Sequence, residues 1–132
     1  MSKQTHTSAF AHFGTTPRNV QWSWSARSPD GKTVVVTLWQ DQLKPKDGKL
    51  TYSMTAEDSA RIAHRPGHRE LMENLAWSRD NCAGVFAVII AIPKDRNADP
   101  RSISECFPSN IRMMITDLDL TLGTFSAEQI FK

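Results

Sequence analysis

No run in this sequence is apolar for long enough to cross a bilayer as a helix. The longest, Val85 to Pro93, has nine residues, against the ~20 that a span requires, and reads as a buried strand. The opening Met1-Ser2-Lys3-Gln4-Thr5 lacks the long apolar stretch of a secretory signal, so a cytoplasmic location and no membrane partner are expected. The two cysteines, Cys82 and Cys106, have neither metal-ligand nor redox spacing and are expected as reduced, structural thiols. Six glycines are scattered singly, which excludes a phosphate-cradling loop, and no Gly-x-Ser-x-Gly elbow is present. His6 and His12 stand near the N-terminus, and the Pro66-Gly67 break separates His64 from His68, so no pair has the spacing of a zinc enzyme. No cofactor or metal is implied, and catalysis is not expected.

Charge of one sign is lacking too. Sixteen basic and fourteen acidic side chains leave a formal +2, too little to indicate a polyanion partner, so any such argument rests on local clusters. The 132 residues, 39% hydrophobic and 23% charged, fit one soluble domain that removes roughly two thirds of its unfolded surface from water. Residues 1–18, rich in Ser, Thr, His and Ala, read as a flexible leader that docks only through Phe10 and Phe13. Residues 19–132 read as a single α+β domain.

From Asn19, Val20, Trp22, Trp24 and Ala26 alternate with Gln21, Ser23, Ser25 and Arg27, the period of a strand with one buried face. Ser28-Pro29-Asp30-Gly31 reverses the chain into Thr33 to Trp39, a β-branched run that predicts a central strand. Lys44 to Lys49 reads as a loop before a short strand, Leu50 to Met54. Thr55-Ala56-Glu57-Asp58 predicts a helix start and Pro66 its end. A second helix is expected from Pro66 to about Asp80, with Leu71, Met72, Leu75, Ala76 and Arg79 on one face. Val85 to Ile92 predicts the best-buried strand. Beyond it come a helical turn near Arg101 to Glu105, a strand around Arg112 to Leu118, a turn near Gly123 and a last edge strand through Phe125.

Three tryptophans, Trp22, Trp24 and Trp39, fall within eighteen residues on the two strands of the hairpin. Such rings can fill a core, or they can line a slot in which a planar base stacks. Arg61, His64, Arg65, His68 and Arg69 form the sharpest basic cluster. Lys44, Lys46 and Lys49 load one loop, and Lys94, Arg96 and Arg101 another. Loops sharing one rim would track a phosphate backbone; alternatively Glu57, Asp58, Glu70 and Glu73 balance a solvated helix junction. Asp30, Asp41 and Lys44 loosely echo a metal-dependent nuclease, although Asp30 is already explained by its turn.

The segments Trp22-Ser23-Trp24-Ser25-Ala26, Asp30-Gly31-Lys32-Thr33-Val34-Val35-Val36 and Leu38-Trp39-Gln40-Asp41 resemble a Trp-rich bacterial domain that accompanies HNH-type endonucleases in restriction-like proteins. Ala91-Ile92-Pro93-Lys94-Asp95 and Ala98-Asp99-Pro100-Arg101-Ser102-Ile103 are similar to its strand-to-loop passage. The resemblance spans residues 19 to 118 and implies a targeting role toward DNA or a modified base. No His-Asn-His metal motif follows, so it implies targeting without cleavage. By analogy, a curved, mostly antiparallel sheet of five or six strands with two to three helices is expected, of the PUA-like class of base readers.

The resulting expectation is a non-catalytic module that binds DNA or RNA. Trp22, Trp24 and Trp39 stand near a base-sized pocket, and Asp41 accepts a hydrogen bond from a base. Arg61, Arg65, Arg69 and Lys94 contact phosphates. The alternative is a small-molecule-binding or protein-interaction module that uses the same aromatic pocket.

Overall fold

A computed structural model of the chain describes residues 6–18, 23–62, 66–95, 97 and 103–130, without the side chains of Asp58, Arg61, Ile62 and Pro66. The expectations placed on Trp22, His64, Arg65, Arg96 and Arg101 lie outside it. The Trp-bearing hairpin pairs β1 (Ser25–Arg27) with β2 (Val34–Trp39), Ser25 opposite Val36. Its turn is closed by Ser28 N donating to Thr33 O and Gly31 N donating to Ser28 O, each at 2.9 Å. Asp30 Oδ1 accepts from Ser28 Oγ at 2.6 Å and from Lys32 N at 3.0 Å, hydrogen bonds that hold this carboxyl below its ordinary range. Gly31 has φ +72°, and a Cβ there would lie 2.8 Å from Trp77 Cζ2. The turn therefore needs glycine both for its backbone and for the indole packed on it.

A single 3-10 turn, Gln40–Gln42, leads to β3 (Lys44–Lys46) and β4 (Lys49–Met54). Two helices follow, α2 (Ala56–Ile62) and α3 (Pro66–Asn81). The sheet is completed by β5 (Val85–Pro93), β6 (Ile103–Asp119) and β7 (Thr124–Ile130). The strand order is β1-β2-β5-β6-β7-β4-β3, and β2 with β5 is its one parallel pairing. Among the described residues, seven strands stand where five or six were expected. Lys44–Lys46, expected as a loop, is an edge strand. β6 begins at Ile103 where a helical turn was expected, and β7 lies between β6 and β4 rather than at an edge. Among the described residues, no helix is long and apolar enough to cross a membrane.

Five inter-strand steps separate β2 from β3. Flat, these would span about 24 Å, but the chain from Trp39 to Lys44 reaches only about 17 Å when extended. The sheet therefore curls, leaving β1 and β3 as unclosed edges. Its inner face holds Val34, Val36, Leu38, Tyr52, Phe86, Val88, Met113 and Phe125, with Leu71, Met72 and Leu75 of α3 packed on them. Tyr52 Oη donates to Gln42 Oε1 at 3.1 Å, joining β4 to the exit of β2. Strand alternation turns Val35, Thr37 and Trp39 of β2, and Ala87, Ile89 and Ala91 of β5, to the outer face. All but the polar Thr37 belong to a second cluster with Ala26 and Cys106, beneath a further helix.

Candidate functional site

That helix is α1 (His6–His12), formed from the segment expected as a leader. Its close is fixed by Thr15, whose N and Oγ1 donate to Phe10 O at 3.2 and 2.7 Å. Seven residues cannot hold a helix in water by themselves, so α1 depends on what it touches. Ala9 and Phe10 are fully buried, in a trough floored by small side chains, Ala26, Ala87, Ala91 and Cys106. Phe13 packs at its margin, under the guanidinium of Arg112 at 5.6 Å.

Along this trough the hairpin brings two of the expected indoles together. Trp24 and Trp39 have ring centroids 5.0 Å apart at 52°, and both are partly buried. Their shared face follows from strand alternation and from the hydrogen bond of Thr37 N to Trp24 O, 2.8 Å, which continues the hairpin ladder. His6 completes the cluster. Its ring stacks on Phe10 at 4.6 Å, meets Trp24 edge-on at 5.9 Å, and its Nε2 shares a 2.7 Å hydrogen bond with Thr37 Oγ1. Burial among apolar rings lowers the His6 pKa from 6.5 to about 4, so the imidazole is neutral at pH 7.

Asp41 follows Trp39 by two residues in the 3-10 turn. With Gln42, Lys44, Thr51 and Ser53 it lines a shallow groove of about 350 Å³. Lys44 Nζ donates to Asp41 O at 3.0 Å, and Thr51 Oγ1 donates to Lys44 O at 2.9 Å, which ties the groove wall to β4. Thr51 and Ser53 lie on the outer face, opposite Tyr52. Lys94 is exposed just past the end of β5, three residues beyond Ala91, the partner of Trp39. The parallel pair thus carries Trp39, Asp41 and Lys94 at one end, the carboxyl end, where open α/β sheets commonly place their ligands.

Of the basic cluster, the described side chains His68 and Arg69 do not join this rim. Arg69 is exposed on α3, in the layer covering the opposite face of the sheet from the indoles. Arg61 is placed in α2 by its backbone alone. His68 is buried, with Nε2 2.9 Å from Gly123 O, and so fastens the β6–β7 turn rather than facing a phosphate. Glu70, expected as a solvated counter-charge, is buried as well. Arg79, expected on the apolar face of α3, is exposed. Lys49 is drawn to Glu128 at 3.8 Å. Asp30 and Asp41 lie at opposite ends of β2, so the nuclease constellation is not assembled. No group of three His, Cys, Asp or Glu able to hold a metal occurs among the described residues.

Sequence reasoning missed α1 as a helix, and with it His6 as a neighbour of the indoles, although Phe10 and Phe13, the rings expected to dock this segment, are packed in the outer cluster; His6 and Phe10 four apart beside an aromatic hairpin were the available signal. It also missed the contribution of Thr51 and Ser53, which depends on β4 returning to the exit of β2. Burial raises the pKa of both Cys82 and Cys106, which makes them poor nucleophiles. Comparison with protein-family models, with curated proteins and with solved structures finds no match to this chain.

Proposed function

We propose that this domain binds nucleic acid without cutting it, holding a base at the Trp24–Trp39 pair while the adjoining groove takes sugar or phosphate. One observation carries the reading: Trp39 of a partly buried indole pair stands two residues before Asp41, which lines a polar groove of about 350 Å³. Indole faces stack on any base, contributing about 1–3 kcal/mol each, and the groove lies within the usual size range of small-ligand clefts. Asp41 accepts from an exocyclic amine; Lys44 and Lys94 supply charge for phosphate. The resemblance to the Trp-rich domain that accompanies HNH-type endonucleases supports a targeting role, and the curl of the sheet supports a PUA-like description. A cytoplasmic setting with reduced thiols belongs to the same proposal.

The test is a titration of tryptophan emission with plain and base-modified oligonucleotides at two salt concentrations. Quenching is expected, with affinity falling as salt rises; Lys44→Ala should flatten that dependence and Asp41→Ala should reduce base preference. No quenching and no mobility shift with any oligonucleotide overturns the reading. The groove lining itself, one cation and one anion beside an amide and two hydroxyls, favours the second reading, a small-molecule or interaction module. Its signature is binding of a neutral polar ligand that is indifferent to salt.

A further inference from the structure

We propose that α1 is a displaceable lid, an occupant in cis of the trough beside Trp24 and Trp39 that competes with a planar ligand for the same indole faces. The inference deepens the proposed function and rests on it. Three observations carry it. First, α1 presents flat rings to the site: Phe10 is fully buried in the trough, and His6 lies between Phe10 and Trp24, at 4.6 and 5.9 Å. The edge of His6 stands against Trp24, so a planar guest laid on that indole would meet it. Second, the trough is apolar and roomy once Phe10 is set aside, because Ala26, Ala87, Ala91 and Cys106 on its floor are small, beside Val35, Ile89 and the partly buried Ile103. Such a floor leaves room for a planar guest instead of closing over itself.

Third, the attachment of α1 is local and short. Within α1 itself, Ala9 and Phe10 are the buried residues, and His6 in its first turn shares a hydrogen bond with Thr37 of the sheet. The inner core, from Val34 to Ala127, includes no residue of α1, so the packing of α3 on the inner face of the sheet does not depend on α1, whereas its departure uncovers the outer cluster. Elements held by few apolar contacts open at a small fraction of the global unfolding free energy. A lid closed most of the time lowers apparent affinity by the fraction of molecules that are open.

Two variants weaken the lid at neutral pH by different means. Phe10→Ala removes the seated ring, and Thr37→Val removes the hydrogen-bond partner of His6 while keeping the strand residue's shape. Both are compared with the wild type by far-UV circular dichroism, acrylamide quenching of tryptophan emission and titration with a short single-stranded oligonucleotide. Expected are an unchanged sheet signal, quenching raised about twofold or more, and oligonucleotide affinity raised about five- to tenfold. Greater quenching with unchanged affinity overturns competition for the indoles, and unchanged quenching in both variants overturns the lid. Wild-type quenching of emission by the oligonucleotide is read separately: its absence sinks the nucleic-acid reading, while greater acrylamide access in the variants still registers α1 opening. If Phe10→Ala loses its circular dichroism signal, the ring is a core residue and the proposal fails.

Discussion

The guanidinium Nε of exposed Arg18 lies 3.4 Å from Oε2 of Glu70, a carboxylate whose side chain is only 6% accessible. Ser23 adds a hydrogen bond to the same carboxylate, yet Oε1 finds no partner among the described residues. Desolvation is the largest influence and raises the Glu70 pKa, against the opposing pull of Ser23 and Arg18. The pair thus clamps the chain entering β1 onto α3 while leaving a buried charge incompletely satisfied.

Glu70→Gln should therefore leave stability at pH 7 unchanged or raise it, by about 1 kcal/mol, since a neutral amide replaces a desolvated anion. Because the folded pKa stands above the unfolded one, the native state holds the proton to higher pH. The stability tied to this proton is present below the unfolded value and is lost as pH rises through the folded one. Urea melts of the two proteins from pH 4 to 7 check both statements; a loss of several kcal/mol in the variant at pH 7 contradicts them.

His6 has the opposite sign. Its folded pKa of about 4 lies below the ordinary 6.5, so the contribution of neutral His6 is whole above pH 6.5 and is lost as pH falls toward 4. Phe10 in α1, Trp24 just before β1 and Thr37 in β2 are in contact with it, all uncharged. His6→Gln keeps a hydrogen-bonding group but cannot be protonated. The difference between wild-type and His6→Gln melts should grow by about 2–3 kcal/mol across that window, whereas parallel curves would refute the assignment.

The turn between β6 and β7 offers a third test. A Cβ at Gly123 would stand 2.5 Å from His68 Cε1 and 2.7 Å from Ser59 Oγ, at φ +71°; His68 and Ser59 bond to Gly123 O and Leu122 O. Gly123→Ala should cost more than about 2 kcal/mol, through backbone strain and displacement of two buried polar groups. His68→Ala should cost about 1–3 kcal/mol, because Gly123 O is left without its partner. Chemical denaturation measures both.

Trp39→Ala should remain folded, since the inner core does not include Trp39, while losing about 2 kcal/mol of stability and most of the oligonucleotide-induced quenching. Circular dichroism beside the titration distinguishes the two effects; an unfolded variant would place the ring in the core.

β2 and β5 were legible as unbroken apolar runs, α3 from its periodic face, and α2 from its capping residues and the stop at Pro66. Val34 to Leu38 and Phe86 to Ala91 are buried continuously, as β-branched runs imply. β3 was hidden because Lys44-Pro45-Lys46 has the composition of a loop, and an edge strand tolerates proline. β6 was divided by Pro108, Ser109 and Asn110, whose pairing passes through irregular register near Ala87 and Ile89. The Trp24–Trp39 neighbourhood could be read from alternation across a hairpin. The separation of Arg69 from it could not, because which face α3 covers is decided by the whole sheet and not by any local pattern.

The short passage from Trp39 to Lys44 acts as a drawstring on the rim. Its few residues set how far β4 can stand from the exit of β2, and hence how widely the walls carrying Asp41 and Thr51 gape. Lengthening it would slacken the mouth without touching a wall residue, so loop length there tunes the size of guest admitted independently of side-chain chemistry.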